Sequence, residues 1–252
     1  MYLVLLTALG VGGATVIGAL IGFIFKNISH KFSDIVLSFA AGVMLCAAVS
    51  GLIIPSLELG GTFAYPVGVA GIFCGAIVLN LLDKLVPHLH RISGTDIEAH
   101  SDHNDKLGKV LLFVMAIAIH NLPEGIAAGV GFGTENISEA FTIAGGIALQ
   151  NIPEGMVIIA PMLAIGMSKK RTFAIAAATG LVEVAGTFLG YFAVSVSSAV
   201  LPFALAFAGG TMLYVISDEM IPETHSHESA SGVTYALLAG FCLMLAIDFY
   251  LG

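Results

Sequence analysis

The sequence predicts an all-α membrane protein: an eight-transmembrane-helix bundle with inverted repeats, in which spans 1–3 and 6–8 surround spans 4 and 5. Three observations predict it. Of 252 residues, 58% are hydrophobic and only 10% charged, against roughly 45–50% apolar and about 25% charged in a soluble domain. The apolar residues fall in segments near 2–25, 34–57, 66–86, 109–132, 138–164, 172–193, 200–222 and 232–251, each about the 20 residues a helix needs to cross a bilayer. The nine basic residues, finally, all lie in or beside the loops after spans 1, 3 and 5. They are Lys26, Lys31, Lys84, Arg91, Lys106, Lys109, Lys169, Lys170 and Arg171. With eight spans those loops share one side, and basic loops stay cytoplasmic. The expected location is therefore the cell membrane, multi-pass, with both termini extracytoplasmic and residues 1–252 forming one transmembrane domain.

Span 1 lacks a basic leading region and is too long for a signal-peptide core, so it reads as a true span. Span 2 carries Ala40-x-Gly42-x-Met44-Leu45 and then Ile54-Pro55, with Glu58 at its outer end. Span 3 leads into the longest loop, 87–107, expected to be cytoplasmic and rich in His and Asp: His88, His90, His100 and His103 stand among Asp96, Glu98, Asp102 and Asp105. It reads either as a solvated loop or as a weak metal-handling tract, since its spacing is not that of a defined zinc site. Spans 4 and 5 share a motif. His120-Asn121-Leu122-Pro123-Glu124-Gly125 recurs as Gln150-Asn151-Ile152-Pro153-Glu154-Gly155, 30 residues on. Glu135 and Glu139, in the loop between them, and Glu58 read as surface residues or as attractors of cations. Span 6 holds Glu183 near its middle. Span 7 repeats the span 2 pattern as Ala208-x-Gly210-x-Met212-Leu213, then Ile221-Pro222. Its cytoplasmic end bears Asp218, Glu219, Glu223, His225 and His227, a solvated helix end or an exit route for an ion. Asp248 in span 8 has no evident partner. Cys46, Cys74 and Cys242 lie within spans and imply no disulfide framework.

Spans 4 and 5 run antiparallel, as do spans 2 and 7, and inverted repeats of this kind mark many transporters, whose sites lie where the halves meet. A charged residue at a helix centre costs roughly 2.5–3.5 kcal/mol on insertion scales. Glu124, Glu154 and Glu183 sit at that depth with no Lys or Arg near them, so the cluster suits a bound cation. Residues at i and i+4 share a helix face, which pairs His120 with Glu124 and Gln150 with Glu154. Where the two faces meet, one compartment collects His120, Glu124, Gln150 and Glu154. A second, sharing the glutamates, collects Asn121, Asn151 and Glu183. Pro123 and Pro153 have no N–H, so the carbonyls of Ile119 and Leu149 lose their helical partners, which is tolerated at membrane depth only where protein, water or a ligand satisfies them. Imidazole, carboxylate and amide without thiolate suit Zn, Fe, Mn, Co or Cd better than Cu(I).

At these motifs the chain resembles the ZIP family of metal transporters, in particular its prokaryotic GufA-like branch. HNLPEG on span 4, QNIPEG on span 5 and SDEMIPETH on span 7 carry the resemblance. It implies an eight-helix bundle with a binuclear metal centre between spans 4 and 5, uptake toward the cytoplasm, a homodimer and an elevator-like motion. It also implies a first metal site of His120, Glu124, Gln150 and Glu154, and a second of Asn121, Glu124, Asn151, Glu154 and Glu183. Many members carry His at the position of Gln150, and some an acidic residue at that of Asn151.

The expected function is transport of divalent transition-metal ions into the cytoplasm, zinc foremost, with Fe, Mn, Co and Cd as further candidates. The expected partners are those ions, the lipid bilayer and a second copy of the chain. The metal is cargo and no cofactor is expected. The alternative is an intramembrane metal-dependent hydrolase using metal-activated water. It needs an acid/base or nucleophile pair beyond the metal ligands, and none is evident, so the chain is read as no enzyme. No basic patch suggests nucleic acid.

Overall fold

The computed structural model describes residues 1–25, 29–85, 103–134, 136–225 and 230–251, and among them every long element is helical. The α-helices are α1 (Tyr2–Ile24), α2 (His30–Cys46), α3 (Ile54–Leu59), α4 (Ala64–Leu85), α5 (His103–Val130), α6 (Ile137–Val157), α7 (Ile159–Ala164), α8 (Lys169–Val196), α9 (Leu201–Val215), α10 (Ile221–His225) and α11 (Ala230–Leu251). Seven helices among the described residues are long and apolar enough to cross a membrane: Tyr2–Ile24, Lys31–Leu59, Gly61–Leu82, Ile137–Ala164, Lys169–Val196, Leu201–His225 and Ser231–Leu251. The fourth predicted span, 109–132, falls on α5. This helix begins at His103, inside the predicted loop 87–107, while residues 86–102 lie outside the described residues.

Local signals set the helix starts. The Ser29 side chain accepts from Phe32 N–H at 3.2 Å, Asn136 from Ser138 and Glu139 N–H, and Ser168 from Arg171 N–H. Each supplies a partner to backbone donors that a first turn leaves unpaired. Gly166, at φ +81, makes the turn from α7 to α8, a conformation that suits glycine.

The span 2 and span 7 repeat is visible in the backbone. Both rods leave α geometry for a π-helical stretch, Ala47–Ile53 in one and Ile216–Met220 in the other. Each stretch runs directly into an Ile-Pro pair, Ile54-Pro55 or Ile221-Pro222. A proline has no N–H for the preceding turn, and widening that turn is one way for a helix to continue.

The rods sort into two groups. One holds α1, α5, α6 and α8, where α5 packs along α8 and α1 along both α6 and α8. The other holds α2, α4, α9 and α11, where α2 packs along α11 and α4 along α9. Within each group backbones touch. A methyl on Gly42 would collide with Leu237, and one on Gly210 with Ile72. Small residues allow such approach where no hydrophobic force draws helices together in lipid. Ser38 Oγ also donates to Val233 O at 2.8 Å, tying α2 to α11.

Between the groups the contact is made by apolar side chains. Met44, Leu52, Leu205, Met212 and Ile216 from one meet Ala127, Ile143 and Ile147 from the other. The polar centre lies inside the first group. Outward-facing aromatic residues Tyr2, Phe63, Tyr65, Phe249 and Tyr250 stand near the first, second and last helix ends of the side predicted to be extracytoplasmic, where aromatic rings favour the membrane interface.

Candidate metal centre

The repeated motifs on α5 and α6 fold as their spacing requires. Both prolines are accommodated within continuous helices, Pro123 in His103–Val130 and Pro153 in Ile137–Val157. The glycine that ends each motif decides which neighbour the helix meets. A methyl on Gly125 would collide with the backbone of Glu183 on α8, and one on Gly155 with the backbone of Thr15 on α1. Two close approaches thereby bring α1, α5, α6 and α8 together at one level.

All seven predicted metal residues are buried at that level: His120, Asn121, Glu124, Gln150, Asn151, Glu154 and Glu183. Glu183 is the best partnered. Its Oε1 accepts from Thr15 Oγ1 at 2.5 Å and from Asn121 Nδ2 at 2.6 Å, and its Oε2 accepts from Asn151 Nδ2 at 2.5 Å. Asn151 Nδ2 also donates to the Val11 carbonyl at 3.4 Å.

Glu124 is 1% exposed. It lies within electrostatic reach of Glu154, Glu183 and Gln150, and Glu154 within reach of His120. Yet neither Glu124 oxygen makes a hydrogen bond, and neither do Glu154 Oε1, the Asn121 and Asn151 carbonyl oxygens, or the Gln150 amide. Buried polar atoms of native proteins are nearly always partnered. A group of unpartnered oxygens around two carboxylates, with no cationic side chain bonded to them among the described residues, is what an oxygen-ligated cation would complete. Among the described residues no three His, Cys, Asp or Glu side chains converge tightly enough to hold an ion. The Glu183 carboxylate is occupied by its three donors, His120 turns toward α9's continuation, and amides supply much of the remaining oxygen.

The predicted exit residues separate. Glu219, in the π stretch of span 7, lies 2.7 Å from His120 Nε2 through its Oε1. A carboxylate only accepts, so the imidazole donates, and the contact bridges the two helix groups. Asp218 accepts from Tyr214 OH at 3.2 Å, and Tyr214 OH accepts from Asn80 Nδ2 at 2.6 Å. Glu223 and His225 are exposed on α10, with His225 Nδ1 at 2.9 Å from the Ile221 carbonyl. His227 lies outside the described residues, as do His88, His90, His100, Arg91 and Glu135. On the opposite side, Glu139 interacts with Glu58 and with Asp248, which supplies Asp248 with the neighbour that sequence did not suggest. Cys46, Cys74 and Cys242 are free thiols.

Sequence reasoning missed Thr15 and placed Glu219 only among exit residues. Thr15 stands 168 residues from Glu183 and Glu219 stands 99 from His120. The one available signal for Thr15 was a polar residue in the middle of a glycine-rich span.

Comparison with known proteins shows the family. The family model described as ZIP Zinc transporter matches residues 96–248. Zinc transporter GufA of Myxococcus xanthus is 39% identical over 256 residues, covering 98% of each chain. Zinc transporter ZIPB of Bordetella bronchiseptica is 36% identical over 245 residues, 95% of this chain and 78% of that one. Zinc transporter ZupT of Chlorobaculum parvum is 35% identical over 256 residues, 95% of this chain and 94% of that one. Taken with its apolar helices and its two repeated glutamate motifs, this near-full-length similarity establishes that the chain is a multi-pass membrane protein belonging to the ZIP family.

Proposed function

We propose that this protein carries zinc across the membrane into the cytoplasm, with Fe, Mn, Co and Cd as further cargo, and that the whole chain works as one transport domain. The observation that carries the reading is the buried group of unpartnered oxygens around Glu124 and Glu154. Ions bind in two adjoining compartments that share these glutamates, the first with His120 and Gln150, the second with Asn121, Asn151 and Glu183. The α5 helix is the fourth span and brings the total to eight, so both termini lie outside and Lys31, Lys84 and Lys169–Arg171 inside. Glu219 receives the ion from His120, and Asp218, Glu223, His225 and His227 continue the route. The protein works as a homodimer. Only 22% of the Gly61–Leu82 window and 17% of the Ser231–Leu251 window are buried within the chain, leaving apolar faces for lipid and a second copy. These functions are transport and not catalysis, as expected of the family.

The two-group architecture supports a moving carrier. The metal residues sit in the α1, α5, α6 and α8 group, whose contact with the other group is mostly apolar and free of backbone interlock. Such a surface can slide, in the manner of alternating access between repeats. The test locks the surface. A side chain on Gly51 would place its Cβ 4.0 Å from Ile143 Cβ, within the roughly 3.5–4.5 Å that a disulfide spans. With the native cysteines replaced by serine, Gly51→Cys/Ile143→Cys should take up zinc into proteoliposomes when reduced and stop when oxidised. Uptake should return with dithiothreitol. Saturable flux that continues through the oxidised pair would show a fixed pore instead of a carrier.

A further inference from the structure

We propose that a groove between the end of α1 and the start of α8 binds an anionic phospholipid: an acyl chain lies against Leu20, Phe23 and Phe173, and the headgroup phosphate meets the Lys169 and Lys170 ammonium groups. The groove has a volume of about 430 Å³ and is lined by these five residues. The path of α1 creates it. A methyl on Gly12 would collide with the Gly180 backbone, so α1 and α8 touch at mid-length. Farther along, Gly18 and Gly22 meet other neighbours, Ile152 and Met156 on α6 and Ile159 on α7. From there to its end α1 follows α6 and α7, and Leu20 and Phe23 are left across a gap from the first turns of α8.

Shape and charge together fit one kind of occupant. Leu20 is 51% exposed, and Ile24 and Phe25 beyond it are 75% and 58% exposed, so this end of α1 calls for apolar material around it. Lys169 and Lys170 are exposed beside the same wall. Their apolar stems can lie along it while their charged heads reach the headgroup region, as lysines do at a membrane boundary. Among the described residues neither is bonded to an acidic side chain. No Asp or Glu occurs on α1, on α7 or on α8 before Glu183. Helix stability does not call for two cations here, because the first turn of a helix favours anions. A water-soluble anion would leave the apolar wall bare, and a zwitterionic lipid brings its own cation to its phosphate. An anionic phospholipid satisfies wall and lysines at once, and basic pockets between membrane helices suit such headgroups.

The test uses the purified full-length protein in detergent without zinc, so its outcome is separate from that of the transport reading. Native mass spectrometry counts the lipid retained per chain from dioleoyl phosphatidylglycerol or dioleoyl phosphatidylcholine, with glycerol phosphate as a headgroup lacking chains. Each cation near an anionic membrane surface contributes about fivefold to binding, so wild type should hold phosphatidylglycerol at least about tenfold more tightly than phosphatidylcholine, and Lys169→Gln/Lys170→Gln should abolish that preference. Arg171→Gln removes the same charge from a residue outside the groove wall, and with salt screening at physiological strength it should keep the preference within about threefold of wild type. Leu20→Trp fills the groove, leaves every charge in place and should lower phosphatidylglycerol retention; if that variant does not fold, the lysine pair decides alone. Equal loss in Arg171→Gln and in the lysine pair would reduce the site to a diffuse basic surface and overturn the proposal. So would equal retention of the two lipids by wild type, or displacement of phosphatidylglycerol by an equal concentration of glycerol phosphate, which would make the ligand a free phosphate.

Discussion

Glu124→Gln should lower zinc flux into proteoliposomes by about 100-fold or more while leaving the metal-free protein at least as stable as wild type. The two halves of this result have one cause. Glu124 is buried among apolar helices, has two other carboxylates within electrostatic reach and makes no hydrogen bond. Its charge has no cationic side chain bonded to it among the described residues, and burying an unpaired charge is costly. The amide is nearly the same shape, so the helices lose no packing and the strain of an unpaired anion goes. What the amide cannot do is neutralise a divalent ion. Partners one shell removed from a metal already contribute 10–100-fold in affinity, and a direct anionic ligand shared by two compartments should reach or exceed that range. Thermal melting of the metal-free protein beside initial flux rates checks both halves. Flux within threefold of wild type would remove Glu124 from the ion's path.

Gly125→Ala should be almost as damaging for a different reason. The added methyl would meet the Glu183 backbone at a distance real side chains do not reach. The backbone cannot rotate away as a side chain can, so α5 must part from α8. Overpacking of this sort costs on the order of 1–3 kcal/mol, and the displacement pulls Asn121 from the carboxylate that it meets at 2.6 Å. The melting temperature should fall, and zinc affinity with it. Gly155→Ala should behave alike through Thr15. Gly145→Ala is the control on α6: nothing lies within 4 Å of its added methyl, and alanine favours the helix over glycine by roughly 0.5–1 kcal/mol. It should be neutral or slightly stabilising. Equal losses at all three positions would mean that the damage is general to these helices, not caused by the two close approaches.

The grouping of the candidate residues was legible in the sequence, because its strongest signals are local. The HNLPEG and QNIPEG motifs place a glutamate one turn from His120 or Gln150, and helical geometry alone assigns them to shared faces. Mid-span carboxylates without basic neighbours are costly in lipid, which is what marks them as a candidate cation site. The repeat of spans 2 and 7, weak as sequence, acquired substance once both rods showed a π stretch before an Ile-Pro pair. Thr15 was illegible for the opposite reason. A threonine in a membrane helix is inexpensive, since its hydroxyl can bond its own backbone, as Thr179 and Thr187 do. Nothing in the residue itself says that it reaches across to Glu183. Asp248 was equally silent, being close to Glu139 only through the packing of α11 near α6.

Composition and hydrophobic segment length thus determined by themselves that the chain is a helical membrane protein, and residue spacing determined which side chains leave each helix together. Both follow from the solvent and from a fixed helical pitch, which act on contiguous residues. Only the tertiary structure decided that the rods form two groups, that Glu219 meets His120, and that Glu183 is held by Thr15, Asn121 and Asn151. Those outcomes depend on which glycines let which backbones touch, and that is a property of pairs of surfaces far apart in the chain.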